Sequence, residues 1–370
     1  MSSPRVRIRP RNKAMTVAVT GAATPVGDII VRALLARSVA GAAIGSVVGL
    51  GTERGRADGV HWRLVDVDSA DFATSLRGVD ALIHMAASTD LAADLKMTTR
   101  IRHDRATRQV QTVVISAQAA GVAHLVVVTS AMTYGASPGN AVPLAEDAPL
   151  AAAPDEGMVG DLLAVEQVLR AASETHPDMA ITVVRPAALV GTGIDTVITR
   201  HFEAPRLLTV KGGNPAWQFC HVEDLASALV ATVELGLGPA VTVGSEGWMT
   251  QEEVEVVSRM LPVELSESMA LGIGQRLHRV GILPFPVSDL AYALYPWVVS
   301  SATLREAGWQ PAYDNVMCLG VLVDSIKGHY AMAARRLDRR DAVLGAASAA
   351  VALLGTAAIM RRRRRKGAGS

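Results

Sequence analysis

The segment Met15–Thr20 (MTVAVT) is a short, β-branched apolar run that stops at a glycine-containing turn, and Asp28–Arg37 (DIIVRALLAR) then carries apolar residues at helical spacing. Strand, turn and helix in that order constrain the chain more than any other feature, because the alternation continues. IGSVVGL (Ile44–Leu50), WRLVDV (Trp62–Val67), ALIHMAA (Ala81–Ala87) and HLVVVTS (His124–Ser130) read as strands, with a helix over Arg105–Ala120 between the last two. A helix over Gly160–Ala172, a strand ITVVRP (Ile181–Pro186) and a helix over His221–Leu235 extend the pattern. These strands are nearly continuous apolar runs, as expected where helices cover both faces of a parallel sheet. The fold class is therefore α/β, with a doubly wound parallel sheet.

With 370 residues, half of them hydrophobic and 19% charged, the chain has room for such a sheet and a second lobe and is not disordered as a whole. Its 36 basic and 35 acidic side chains almost cancel, so no nucleic-acid partner is expected. The cysteines, Cys220 and Cys318, lack metal-ligand spacing and read as small core residues in a reducing compartment; no metal site is expected. No apolar run of signal-peptide length precedes Gly21, so a cleaved secretion signal is not expected.

The balance of charge breaks at the C-terminus. Ala342–Met360 (AVLGAASAAVALLGTAAIM) has nineteen residues without a charge, and RRRRRK (Arg361–Lys366) follows. As a helix it would reach roughly 28 Å, close to the hydrocarbon thickness of a bilayer. The expectation is a membrane helix over 341–360, between a basic linker (331–340) and a basic tail (361–370). It would hold the protein, as a single-pass or peripheral protein, on the cytoplasmic side of the cell membrane. An alanine-rich helix packed on the protein or in a dimer is the alternative. Arginines flank the segment on both sides, so charge does not set an orientation. Residues 1–13 form a second basic tail.

The turn TGAATPVG places Gly21 and Gly27 around a strand-to-helix junction, where backbone N–H groups and the helix dipole can hold a pyrophosphate. It resembles the TGxxGxxG fingerprint of the extended short-chain dehydrogenases/reductases, the NAD-dependent epimerase/dehydratase family, with Thr24 where the family has its middle glycine. Further similarities follow in family order over residues 15–325: LVDVD with Asp66, ALIHMAA with His84, Ala86 and Ala87, AAGVAHLVVVTSAMTYG with Ser130 and Tyr134, VVRPAALVG with Arg185 and Pro186, FCHVEDLASALV with Asp224, VTVGSEGWMTQEEV, and LREAGWQP. The resemblance implies a Rossmann-type dinucleotide-binding domain over 14–185 and a smaller substrate lobe over 186–330, with 221–243 returning to the first domain. It implies NAD or NADP as cofactor, held by Gly21, Ala23, Thr24, Pro25, Val26, Gly27, Asp66, Val67, Met85, Ala86, Ala87, Arg185 and Pro186. Thr24 leaves less room for the phosphates, although its hydroxyl could donate to one. The acidic residue that holds the NAD ribose after the second strand is missing. Gly51 stands there, followed by Thr52, Glu53 and Arg54, and the choice between NAD and NADP stays open.

The family's chemistry uses a tyrosine that moves a proton and a lysine four residues later that lowers the tyrosine's proton affinity. The five lysines, Lys13, Lys96, Lys211, Lys327 and Lys366, are preceded at that spacing by Arg9, Ala92, Leu207, Val323 and Arg362, so the chain has no Tyr-x-x-x-Lys. Alignment on Glu166 puts Met158 and Leu162 at the two positions. Of the catalytic residues the resemblance implies, Ser130 remains. Tyr134, Asp161, Glu156 and His103 are candidate substitute acids.

In the second lobe, Arg200, Arg206 and Lys211 could meet a diphosphate and Trp217 could stack on a base or ring. The apolar stretch from Met269 to Val299 could cap an apolar pocket, dip into the membrane surface beside the C-terminal segment, or be ordinary core. Two functions fit. One is an oxidoreductase or epimerase acting on a nucleotide-sugar or lipid-linked substrate with a non-standard acid/base. The other is a non-catalytic NAD(P)-sensing or scaffold protein at the membrane. The resemblance also implies a possible homodimer.

Overall fold

In the protein, a computed structural model, the structure describes residues 14–39, 43–155, 157–203, 206–266, 268–270, 272, 276 and 287–333. The expected basic tail (1–13), Glu156, most of the basic linker, the hydrophobic helix over 341–360 and the tail after it lie outside the described residues. Among the described residues no helix is long and apolar enough to cross a membrane.

Seven parallel strands form one sheet. In chain order the elements that build it are β1 (Met15–Thr20), α1 (Pro25–Val39), β2 (Ile44–Gly51), β3 (His61–Leu64), α2 (Phe72–Ser75), β4 (Ala81–Met85), α3 (Leu91–Asp94), α4 (Thr99–Ala120), β5 (His124–Val128), α5 (Met158–Thr175) and β6 (Ala180–Pro186). With the later strand β10 (Ala240–Val243) as the seventh, the spatial order is β10-β6-β5-β4-β1-β2-β3, and the paired strands run parallel throughout. Winding starts at β1 and goes outward in both directions, so the order reverses between β1 and β4. This leaves a crevice at the carboxyl ends of those strands.

Alternation along β1 shows why its apolar run is continuous. Val17 and Val19 belong to the core on the side of α1 and the later helix α7 (Val222–Leu235), with Ile30, Leu34, Leu225 and Leu229. Ala18 points the other way, into a core with Val110, Val113 and Ala117 of α4 and Val165 and Leu169 of α5. Both faces are dry, so neither tolerates a polar residue. Helix α4 begins six residues earlier than its apolar spacing suggests, because the Thr98 hydroxyl accepts the Ile101 N–H and caps the first turn, Thr99–Arg102.

After β6 the chain makes β7 (Ala188–Val190), α6 (Val197–Glu203), β8 (Leu207–Lys211) and β9 (Phe219–His221) before α7 (Val222–Leu235) and β10 (Ala240–Val243), the edge strand beside β6. Beyond it lie α8 (Gln251–Ser258), β11 (Pro262–Ser266), a 3-10 turn at Val287–Ala293, α9 (Ala302–Glu306) and α10 (Asn315–Ala333). Two small parallel pairs, β7 with β9 and β8 with β11, stand outside the main sheet.

Candidate functional site

The turn between β1 and α1 is built by its glycines. Gly21 has φ +62°, a left-handed conformation that glycine adopts without strain. A Cβ on Gly27 would lie 2.1 Å from the Gly21 carbonyl oxygen, so α1 approaches the turn as closely as only glycine allows. Thr24 fills the place between them. Its hydroxyl donates to the Gly21 carbonyl at 2.8 Å and accepts the Gly27 N–H at 3.0 Å. Thr24 therefore caps α1 itself. The expectation that this hydroxyl could donate to a phosphate is corrected by that geometry, because its proton already lies on Gly21.

A cavity of about 470 Å³ opens from this turn across the carboxyl ends of the strands. Its wall brings together Gly21, Thr24 and Val26 from the turn, Val67, then Met85, Ala86 and Ala87 after β4, Ser130 after β5, and Pro186 at the end of β6. The other expected cofactor residues stand outside that wall. Gly27 packs beneath the turn, and Pro25 lies against Gly193, where an added Cβ would come within 2.4 Å of it. Ala23 faces Gly55, where an added Cβ would lie 3.3 Å from the Ala23 Cα. Asp66 is exposed, and its Oδ1 accepts the Asp68 N–H at 3.0 Å. The loop after β7 is laced to the loop after β4: Asp195 donates its N–H to Thr89 O at 2.8 Å and accepts from Leu91 N–H at 3.0 Å.

Arg200 holds that lacing in place. It donates to both carboxylate oxygens of Asp195, at 2.7 and 2.9 Å, and to Glu203 at 3.0 Å. The hydrogen bond to Asp195 is the main cause that raises its pKa above the usual arginine value. Two carboxylates neutralise it, so it is not the diphosphate contact that the sequence suggests. Trp217 is likewise a core residue: it is 2% exposed, its Nε1 donates to Gln251 at 2.9 Å, and its ring stacks on Phe219. Lys211 is exposed at the end of β8, away from the cavity wall. The structure does not bring these three residues together.

Met158 and Leu162, one turn apart on α5, both face the cavity. Between them in sequence Asp161 turns toward α4, where Arg102 Nε donates to Asp161 Oδ2 at 2.5 Å and His103 Nδ1 lies 2.9 Å from Oδ1. Arg102 and Asp161 are buried and line the cavity; His103 is half-exposed. Two of the candidate substitute acids thus meet in one cluster. Tyr134 does not join it. Its hydroxyl donates to Glu146 O and accepts from Arg185 Nη1, each at 2.8 Å, and burial is the largest cause raising its pKa.

Arg185 is a buried strut rather than part of the wall. Its guanidinium pairs with Glu166, the shortest contact being 2.7 Å, and Thr129 and Thr133 donate to the same carboxylate. Ser130, in contrast, is part of the wall. Its Oγ accepts the Met132 N–H at 3.2 Å while facing the cavity. His84 Nδ1 lies 2.9 Å from Thr20 Oγ1, and burial pushes its pKa down to about 4, so the ring is neutral. The stretch expected to cap a pocket contributes Trp297 to the wall, and Tyr292 beside it donates to Met132 O at 2.7 Å. Arg102, Arg105, Gln109, Met97 and Met132 also line the cavity. For Arg102, Arg105 and Gln109 the signal was a row of positions 102, 105, 106 and 109 at helical spacing on α4, which the charged sequence RIRHDRATRQ disguises as a solvated face.

Known proteins share this architecture. The chain is 24% identical over 308 residues to an uncharacterized protein of Mycobacterium tuberculosis, covering 81% of each. It is 30% identical over 235 residues to a Streptomyces protein named 3-diazoavenalumate denitrifying reductase, covering 60% of this chain and 72% of that one. UDP-glucose-4-epimerase from Stenotrophomonas maltophila, solved with bound NAD and formylated UDP-arabinopyranose, superposes with a TM-score of 0.62 at 18% identity over 86% of this chain and 99% of that one. Residues 17–244 match the profile of one family, and on that match over more than half its length the chain belongs to the NAD dependent epimerase/dehydratase family.

Proposed function

We propose that the protein is an NAD(P)-binding oxidoreductase that works on an apolar substrate without the family's tyrosine and lysine. One observation carries this reading: Met158 and Leu162 face the cavity beside Ser130, while the neighbouring acid, Asp161, is tied to Arg102 and His103. The residues fit a dinucleotide. The Gly21 conformation, the close approach at Gly27 and the 15-residue helix α1 keep an N-terminus aimed at the crevice, and the cavity runs from that turn to Ser130. Gly21, Thr24, Val26, Val67, Met85, Ala86, Ala87 and Pro186 would hold it.

A bound nicotinamide dinucleotide supplies a hydride or accepts one. Ser130 orients the substrate, since its Oγ already accepts Met132 N–H and its O–H is left to donate to a substrate oxygen. Met158, Leu162 and Trp297 exclude water and cannot carry a proton. The reading therefore favours a hydride acceptor that needs no proton from the protein, one that bears a positive charge or spreads the incoming negative charge by conjugation. A relative named for reducing a diazo compound supports that class. The apolar wall, with Arg200 and Trp217 engaged elsewhere, favours a lipid-like or aromatic body over a nucleotide-sugar.

The test is calorimetric titration of the full chain with NAD, NADH, NADP and NADPH, followed by incubation of the loaded protein with cell extract. Micromolar binding by one pair and interconversion of its oxidised and reduced forms are expected. Tight binding with the cofactor unchanged would replace this reading by a non-catalytic dinucleotide sensor.

A further inference from the structure

Helix α4 presents Arg102, Arg105, Ala106 and Gln109 to the cavity along one face. Arg102 is engaged by Asp161, and the Gln109 amide donates to Asp68 Oδ2 at 3.1 Å. Arg105 differs. No carboxylate lies within ion-pair distance of it among the described residues, and the contact its Nη1 makes is to Met97 Sδ at 3.8 Å, a weak acceptor. Asp94 feels its charge without pairing to it, and burial is the largest cause that raises the Asp94 pKa.

We propose that Arg105 is the anion receptor of this cavity, taking a carboxylate or phosphate oxygen pair on its guanidinium. The inference rests on the reading of the cavity as a site for a dinucleotide and an apolar substrate. A planar fork of donors matches either anion, and Arg105 is exposed, so its guanidinium is open to a ligand that reaches the cavity. Two ligands could present that chemistry. The first is the diphosphate of the dinucleotide: Thr24 occupies the Gly27 N–H, so a diphosphate leaning on the turn has one donor fewer, and a cation in the same cavity replaces it. The second is an acid group on the apolar substrate, which would fix one end of a body packed against Met97, Met132 and Met158.

The experiment compares full-length wild type, Arg105→Gln and Arg105→Lys by calorimetry, at low and physiological salt, with all folds checked by thermal melting. One arm titrates NADH and NADPH. The other titrates cinnamate and its neutral amide, with and without saturating dinucleotide. A roughly tenfold or greater loss of dinucleotide affinity in Arg105→Gln, partly restored in Arg105→Lys and flattened against salt, assigns the residue to the diphosphate. Unchanged dinucleotide binding with wild-type preference for cinnamate over the amide, abolished in Arg105→Gln, assigns it to a substrate carboxylate. If wild type and Arg105→Gln agree in both arms, the proposal is overturned while the dinucleotide reading stands. If wild type binds no dinucleotide, that reading falls, and the cinnamate arm run alone still decides for or against Arg105.

Discussion

Arg102 on α4 and Asp161 on α5 are 59 residues apart and meet at 2.5 Å, 8% and 5% exposed, beside Leu162. A buried ion pair of this kind adds little net stability, because desolvation offsets most of the attraction, but losing one partner strands the other. Arg102→Met should therefore destabilise the protein by about 3 to 5 kcal/mol, since His103 alone is left to answer the Asp161 charge. The double change Arg102→Met with Asp161→Leu should recover most of that loss. Urea unfolding of the three proteins checks it; equal midpoints for the single and double variants would mean that the pair is not the source.

Thr24→Gly separates two roles of the turn. Removing the cap by glycine costs a few tenths of a kcal/mol, roughly, because solvent or a ligand can serve the freed Gly27 N–H. A hydrogen bond from that group to a phosphate is worth about 1.5 kcal/mol or more, so NADH affinity should rise roughly tenfold. Calorimetry reads both variants directly. Equal or weaker binding by Thr24→Gly would show that the threonine does not stand between the turn and the phosphates.

Gly27→Ala attacks the same turn from beneath. The added carbon would sit 2.1 Å from a backbone oxygen, which cannot rotate away, so α1 has to move. The expected loss is about 3 kcal/mol. Gly78→Ala is the comparison: its φ of +74° strains an alanine but open space surrounds it, and about 1 kcal/mol is expected. Thermal melts that rank the two variants in the opposite order would contradict the packing argument.

How far the sequence could be read depended on whether a feature is local. The β1 run, the turn and α1 are each fixed by residues within a few positions of one another, and the two-sided burial of Val17, Ala18 and Val19 follows from apolar continuity alone. Met158 and Leu162 lie one turn apart on α5, as a spacing of four requires, and both face the cavity. Arg200 and Trp217 were not legible. A free arginine and one clamped by Asp195 look alike in sequence, as do a surface tryptophan and one stacked on Phe219. The meeting of His103, Arg102 and Asp161 depends on how α4 crosses α5, which no spacing within either helix encodes.

Acid should weaken the fold through its histidines. Burial lowers the pKa of His84, His124 and His201 from 6.5 to about 4 in each case. Between those values the unfolded chain takes up protons that the folded chain refuses. Their contribution is complete above about pH 6.5 and is lost as the pH falls toward 4, at up to about 3 kcal/mol per histidine. Asp289 opposes them. It is buried with Oδ2 unpartnered, and burial, followed by Asp155, raises its pKa from 3.8 to about 7. Its carboxyl stabilises the fold at low pH and loses that effect as the pH rises through 7. Three groups outweigh one, so the urea midpoint should drop steadily between pH 6.5 and 4. Asp289→Asn keeps the shape without the charge; it should raise stability above pH 7 by a few kcal/mol, roughly, and steepen the acid loss. A midpoint flat from pH 8 to 4.5 in wild type would mean that the three rings are protonated within the fold, against their burial.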